Sequence, residues 1–242
     1  MSSGKYSAIS GAVARMQMLE NISEHLASAK VPGYKKEMVA FEAKLGEARS
    51  GMATKGTNYT HLTKPVIDFT PGHIEHSGDP LDLAISGDGF FRIQRPDGSF
   101  GYARKGNFTL NGDGTLIDTN GYPVMGTGGG EITLPNSDVS IDLDGTIWDG
   151  STRVGQVGLF RFADTSVLKR SGGEMFIPVD GTQPEAHPNP KMSQQNLEAS
   201  NIDMMKTMTR MTTNLRAFEA TQKALKIYSD MGTKAADIGL VQ

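Results

Sequence analysis

The sequence predicts an α+β protein of several parts. An all-β centre, of barrel or sandwich kind, lies between an N-terminal and a C-terminal helix that pair with each other as a coiled coil. Three observations carry this reading. The apolar residues near both ends recur at helical spacing. Between them the period falls to two. Finally, 21 of the 29 glycines fall within residues 65–191, beside Asp and Asn in the pattern of tight turns. The expected divisions are an N-terminal helix over 1–32, an extended arm or linker over 33–68, the all-β domain over 69–191 and a C-terminal helix over 192–242.

Charge follows the same division. The net formal charge is −3, made up of +4 over residues 1–64, −8 over 65–191 and +1 over 192–242. Such totals give no basic face for nucleic acid. The chain has no cysteine, which removes disulfides, thiolate metal sites and thiol catalysis. No run approaches the 18 apolar residues of a membrane span. The N-terminal stretch lacks the apolar block of 7–15 residues that precedes a signal cleavage site, so an exported chain would need another route.

The first helix is expected from Ile9, Val13, Met16, Leu19, Ile22 and Leu26, spaced 4, 3, 3, 3 and 4 apart. Val31-Pro32-Gly33 ends it, because Pro32 turns Val31 away from helical angles and Gly33 can take a left-handed one. Met38, Phe41 and Leu45 then suit a short helix or an extended arm, and the polar residues 50–64 read as a linker.

From Pro65 the pattern alternates: Leu81, Leu83 and Ile85 with Asp82 and Ala84, then Phe91 and Ile93 with Phe90 and Arg92. Turn signals such as Pro96-Asp97-Gly98, Asn120-Gly121 and Asp144-Gly145 separate the strands. Pro184, Pro188 and Pro190 mark the exit. In the C-terminal helix Met204, Met208, Met211, Leu215, Phe218 and Leu225 are spaced 4, 3, 4, 3 and 7 apart, the 3.5-residue period of a helix–helix seam. Ser200 or Asn201 is the expected cap, with Asp203 in the first turn.

No catalytic constellation emerges. His73 and His76 fall on opposite faces of an alternating segment, without a third ligand nearby. Asp142-Leu143-Asp144-Gly145 opens like a calcium loop but has Arg153 where the closing Glu belongs, so a hairpin turn explains it better. Gly126-Thr127-Gly128-Gly129-Gly130 has neither a dinucleotide fingerprint nor a P-loop lysine. No cofactor, metal or small-molecule substrate is expected, and the chain does not read as an enzyme. Two readings of the residues stand: a self-assembling structural subunit and a secreted β-domain binding module of adhesin type.

Three blocks resemble one family. Asn21-Ile22-Ser23-Glu24-His25-Leu26-Ala27-Ser28, leading through Lys30 to Val31-Pro32-Gly33-Tyr34-Lys35, is similar to a signature of form NLANxxTxGFK. The run from Thr70-Pro71-Gly72 through Pro80-Leu81-Asp82-Leu83-Ala84-Ile85 to Gly87-Asp88-Gly89-Phe90-Phe91 resembles GxLxxTGxPLDxAIxGxGFF. Leu197-Glu198-Ala199-Ser200-Asn201, with Arg216-Ala217-Phe218-Glu219, is similar to LExSNVD … RAYEANxK. The family is that of bacterial flagellar rod and hook axial proteins, and the likeness is greatest to the F-type basal-body rod proteins of the proximal rod. It departs where Glu24-His25 stand for the usual Asn-Asn and Lys30 for the usual Thr.

The resemblance implies a motility protein with no catalytic role. Its terminal helices would pair and pack, copy on copy, into the wall of a periplasmic rod that transmits torque and encloses the export channel. The β domain would face outward. Implied partners are further copies of the chain, other flagellar rod proteins and the flagellar type III export apparatus, which needs no cleavable signal. A distal-rod or hook-type subunit is the alternative within the same family.

Overall fold

The structure is a computed structural model that describes residues 2–39, 41–45, 58–62, 65–172, 174–179 and 181–239. It is mostly β with a helix at each end of the chain, which agrees with the expected α+β class. Two compact units divide the residues. One comprises Met1–Ala27, Glu37–Val66 and Asp203–Gln242, the other Ser28–Lys36 and Ile67–Ile202.

In the first unit, helix α1 spans Ser2–Ala27 and helix α2 spans Met204–Gly239. The two pack against each other. In the β unit, Gly33 N–H donates to Glu198 O at 2.6 Å. The chain just after α1 is therefore held beside the chain just before α2, and the helices run antiparallel. The start of α2 is capped by Asp203, whose Oδ1 accepts Lys206 N–H at 3.0 Å. That hydrogen bond holds the Asp203 carboxyl below the ordinary range. The expected caps serve elsewhere. Ser200 Oγ accepts Ile202 N–H, and Asn201 bonds to Lys36 and Asp68.

Of the two forms expected for Met38, Phe41 and Leu45, the arm takes the extended one: Glu37–Met38 is a strand and Phe41–Leu45 pairs antiparallel with Asn58–Leu62. The latter strand lies inside the expected linker. The rest of that linker lies outside the described residues.

The β unit is built on a six-stranded antiparallel sheet. Its order is Leu168–Arg170, Met175–Pro178, Phe100–Ala103, Phe90–Gln94, Leu159–Arg161 and Glu185–Ala186. Alternation along Phe90–Gln94 sends neighbouring side chains into two cores. Phe91 joins Leu83, Ile85, Leu116, Val124, Ile147 and Met192, while Phe90 joins Tyr102, Phe160, Phe162, Leu168 and Phe176. Both faces of the sheet are therefore buried at its centre, around Phe90 and Phe91. The second core is aromatic, with Phe69 edge-on to Phe90 at 5.2 Å and to Phe176 at 5.0 Å.

The expected hairpin turns form. Asp144 Oδ1 accepts Thr146 N–H at 2.9 Å between strands Ser140–Ile141 and Thr146–Asp149. The β unit also runs further than expected, since Met192–Gln194 pairs with Leu83–Ile85 and Asn196–Glu198 with Ile74–His76. Strands of three residues carry too little alternation to be seen beside the helical spacing that follows them.

Candidate assembly surface

The twelve expected seam residues do not form one buried stripe. On α1, Ile22 is buried and Leu19 and Leu26 are half-buried, whereas Ile9, Val13 and Met16 are more than two-fifths exposed. On α2, Met204, Met211, Phe218 and Leu225 are half-buried, but Met208 and Leu215 are exposed at 44% and 40%. Met205 beside them is 75% exposed. The packed face of α2 instead runs through Met204, Thr207, Met211, Asn214, Phe218 and Thr221, at spacings of 3 and 4. Sequence reasoning missed its two buried polar members, Thr207 and Asn214, because a search for apolar spacing passes over them. Thr207 can be buried because its hydroxyl donates to Asp203 O at 2.7 Å. Each helix thus carries one face turned to its partner and a second apolar stripe turned to solvent.

One family departure has a local role here. His25, where the family has Asn, accepts Glu37 N–H on Nε2 at 3.1 Å.

Most of the motif residues belong to the β unit and its core. Leu81, Asp82, Ala84, Ile85, Phe90 and Phe91 are buried, Pro80 is half-buried and Gly87 and Gly89 flank the turn between the two strands. Burial raises the Asp82 carboxyl, against a hydrogen bond from Ser77. Arg216 and Glu219 are exposed on α2, beside the half-buried Phe218.

Pro32, Gly33, Tyr34, Ser200 and Asn201 bring together the two chain segments that enter and leave the β unit. Lys35 Nζ is fully buried there, 2.5 Å from Glu198 Oε1 and 2.8 Å from Thr70 O. Glu198 Oε1 also accepts Gly72 N–H at 2.8 Å. Arg104, likewise buried, lies 3.6 Å from Glu198 Oε2 and donates to Gly87 O at 2.6 Å. Asn201 accepts Lys36 N–H at 2.8 Å and donates to Asp68 O at 2.7 Å, and Arg170 donates to Lys35 O. Burial pushes the Lys35 ammonium down, opposed by the Glu198 hydrogen bond. Burial also lowers Arg104. Two cations thus share one carboxylate out of solvent, an arrangement that fixes chain segments rather than one that performs chemistry. Lys35, Arg104 and Glu198 escaped the candidate set because a lone charge beside a turn reads as surface.

His73, weighed for a metal, has Nε2 2.5 Å from Glu75 Oε1 on an exposed edge. Among the described residues no helix is long and apolar enough to cross a membrane.

Two family models match the chain: the flagellar hook protein FlgE/F/G D1 domain over residues 84–148 and the flagellar basal body rod FlgEFG protein C-terminal region over residues 193–238. Among relatives, the flagellar basal-body rod protein FlgF of Caulobacter vibrioides is 30% identical over 98% of both chains. That of Salmonella typhimurium is 32% identical over 91% of both. The flagellar basal-body rod protein FlgG of Bacillus subtilis is 30% identical over 91% of this chain and 92% of its own.

Proposed function

The chain belongs to the flagellar basal-body rod protein family, F type, and from that premise we propose how it assembles. It is a structural subunit of the bacterial flagellar rod, not an enzyme, and it works in the basal body with other rod components. In our reading α1 and α2 of one chain form a short antiparallel coiled coil. The stripes Ile9, Val13, Met16 and Met205, Met208, Leu215 pack on neighbouring copies. Repeated contacts of this kind do not close on themselves, so they extend into a tubular wall that bears torque and encloses the export channel. Helices and β unit divide the labour: the first unit polymerises, while the second is a self-contained body with its own buried apolar clusters.

The observation that supports this most is the row of apolar side chains left in solvent on both helices. Fully burying one exposed Val, Met or Leu side chain contributes about 1.5–3 kcal/mol. Most of these side chains are already half covered, so each adds a fraction of that and assembly draws on many such contacts together. Similarity to FlgF relatives over nearly the whole chain supports the proximal rod; the FlgG match keeps the distal-rod reading as the alternative. Export through the flagellar type III apparatus goes with the same premise. The test is complementation of a strain lacking the gene with Met16→Asp or Leu215→Asp chains. Swimming should be lost, while each purified variant keeps the unfolding midpoint of the parent. Normal swimming with both variants would sink the proposal.

A further inference from the structure

We infer that Asn214 selects the register of the α1–α2 pair. Asn214 is the one amide among the buried polar side chains of the described residues. Its Nδ2 donates to Arg15 O at 3.0 Å, and its Oδ1 lies 3.4 Å from Arg15 Nη1. Both ends of the amide are thus committed to one residue of the other helix. The other large side chains of the two helices, Ile22, Leu19 and Leu26 on α1 and Phe218 and Leu225 on α2, are apolar and gain from any apolar neighbour, so they favour pairing more than one particular register. Met18 on α1 and Met211 and Ala217 on α2, all half-buried, are small or pliable. Small side chains leave shallow holes, and Met adapts to whatever hole it meets. A slip of one heptad would move one helix by about 10 Å along the other, at 1.5 Å per residue, and would unwind about two turns of helix beside the segments that the β unit holds. Packing of such residues would survive that slip, whereas Asn214 would be left buried opposite a different turn, without the carbonyl it now faces. A single buried Asn is an established device for fixing the register of helix pairs. Here it fixes the stagger between the exposed stripes on α1 and α2. The inference concerns the helix pair itself and stands apart from what those stripes contact.

The absence of cysteine makes the register directly readable by engineered disulfides in the full chain. Ile22 and Thr207 are both buried and each lies one heptad from the Arg15–Asn214 contact, in the directions an antiparallel pair requires. Ile22→Cys with Thr207→Cys therefore reports the observed register. Met18→Cys with Phe218→Cys, both half-buried, reports a slip of one heptad. Under mild oxidation with Asn214 in place, the first pair should close at least tenfold faster than the second. In Asn214→Leu the ratio should fall to within about threefold, with the helical circular dichroism and its melting temperature equal to or above the parent's. A ratio that stays tenfold in Asn214→Leu would overturn the inference. So would loss of the helical signal, which would mean that Asn214 is needed for pairing itself.

Discussion

Lys35 and Glu198 stand 163 residues apart in the chain, yet their side chains meet at 2.5 Å with neither in contact with solvent. One belongs to the segment that follows α1, the other to the segment that precedes α2. A buried pair of this kind adds little net stability when complete, because desolvation offsets the attraction, but breaking it leaves an uncompensated charge. Its effect is to make the two segments depend on each other.

The cluster holds two cations and one anion, and that imbalance ranks the variants. Glu198→Gln leaves Lys35 and Arg104 buried without a counter-charge and should destabilise the β unit by about 3–5 kcal/mol. Lys35→Met leaves Glu198 with Arg104 at 3.6 Å and with Gly72 N–H, so it should cost clearly less. Denaturant unfolding of both single variants and the double variant gives the coupling, expected on the order of 2 kcal/mol. Equal losses in the two single variants would contradict the assignment of Glu198 as the shared anion.

Lys35 also gives the stability a pH slope. Burial lowers its pKa in the folded state below the ordinary 10.5, so between the two values the unfolded chain binds more protons. Stability then rises with pH in that window. Tyr102, whose hydroxyl burial raises above 10.0, acts in the opposite sense once the unfolded phenol ionises. The measurement is therefore the difference between parent and Lys35→Met urea midpoints over pH 7 to about 9.5, the range below unfolded tyrosine ionisation. The parent should gain relative to the variant as pH rises; parallel profiles would show that Lys35 titrates normally.

Gly33 couples backbone conformation to the same junction. Its φ is +68°, and a Cβ there would lie 2.4 Å from Lys105 N and 2.6 Å from the Arg104 carbonyl carbon. Both are backbone atoms that cannot swing aside. Gly33→Ala should therefore cost more than the roughly 1–2 kcal/mol of a left-handed non-glycine residue alone, and thermal unfolding would read it. Tolerance within 0.5 kcal/mol, the range of an ordinary surface change, would mean that the segment is not docked as described.

What was legible in the sequence follows from pattern length. The long runs at 3.5-residue spacing gave both helices, and Asp-Gly and Asn-Gly pairs gave the hairpins of the centre. The spacing of Met38, Phe41 and Leu45 left helix and extended arm both open, the strand Asn58–Leu62 was hidden by its polar residues, and Met192–Gln194 by its brevity. For the site, apolar spacing placed Met204, Met211 and Phe218 on the packed face but also enlisted Met208 and Leu215, which face solvent. The reason is physical: α2 carries two overlapping stripes about one residue apart, and a one-dimensional spacing rule merges them. Thr207 and Asn214, the buried members that would mark the packed face apart from the other, are polar. Lys35 and Glu198 were invisible because their pairing is a tertiary event over 163 residues.

The two stripes predict different consequences for two substitutions of similar kind. Phe218 lies half-buried on the packed face, so Phe218→Ala should destabilise the helical unit by about 1–3 kcal/mol, below the 3–5 kcal/mol of a fully buried Phe. Met208 is exposed, so Met208→Ala should stay within about 0.5 kcal/mol. The chain offers separate reporters, because its single tryptophan, Trp148, lies in the β unit. Helical circular dichroism then follows α1 and α2, while Trp148 fluorescence follows the β unit. Phe218→Ala should lower the melting temperature seen by dichroism and leave the fluorescence transition in place. Met208→Ala should move neither in the isolated chain and should show its effect only as reduced swimming. A dichroism shift of equal size in both variants would mean that Met208, too, is held within the helix pair, and the solvent-facing stripe would lose its claim as an assembly surface.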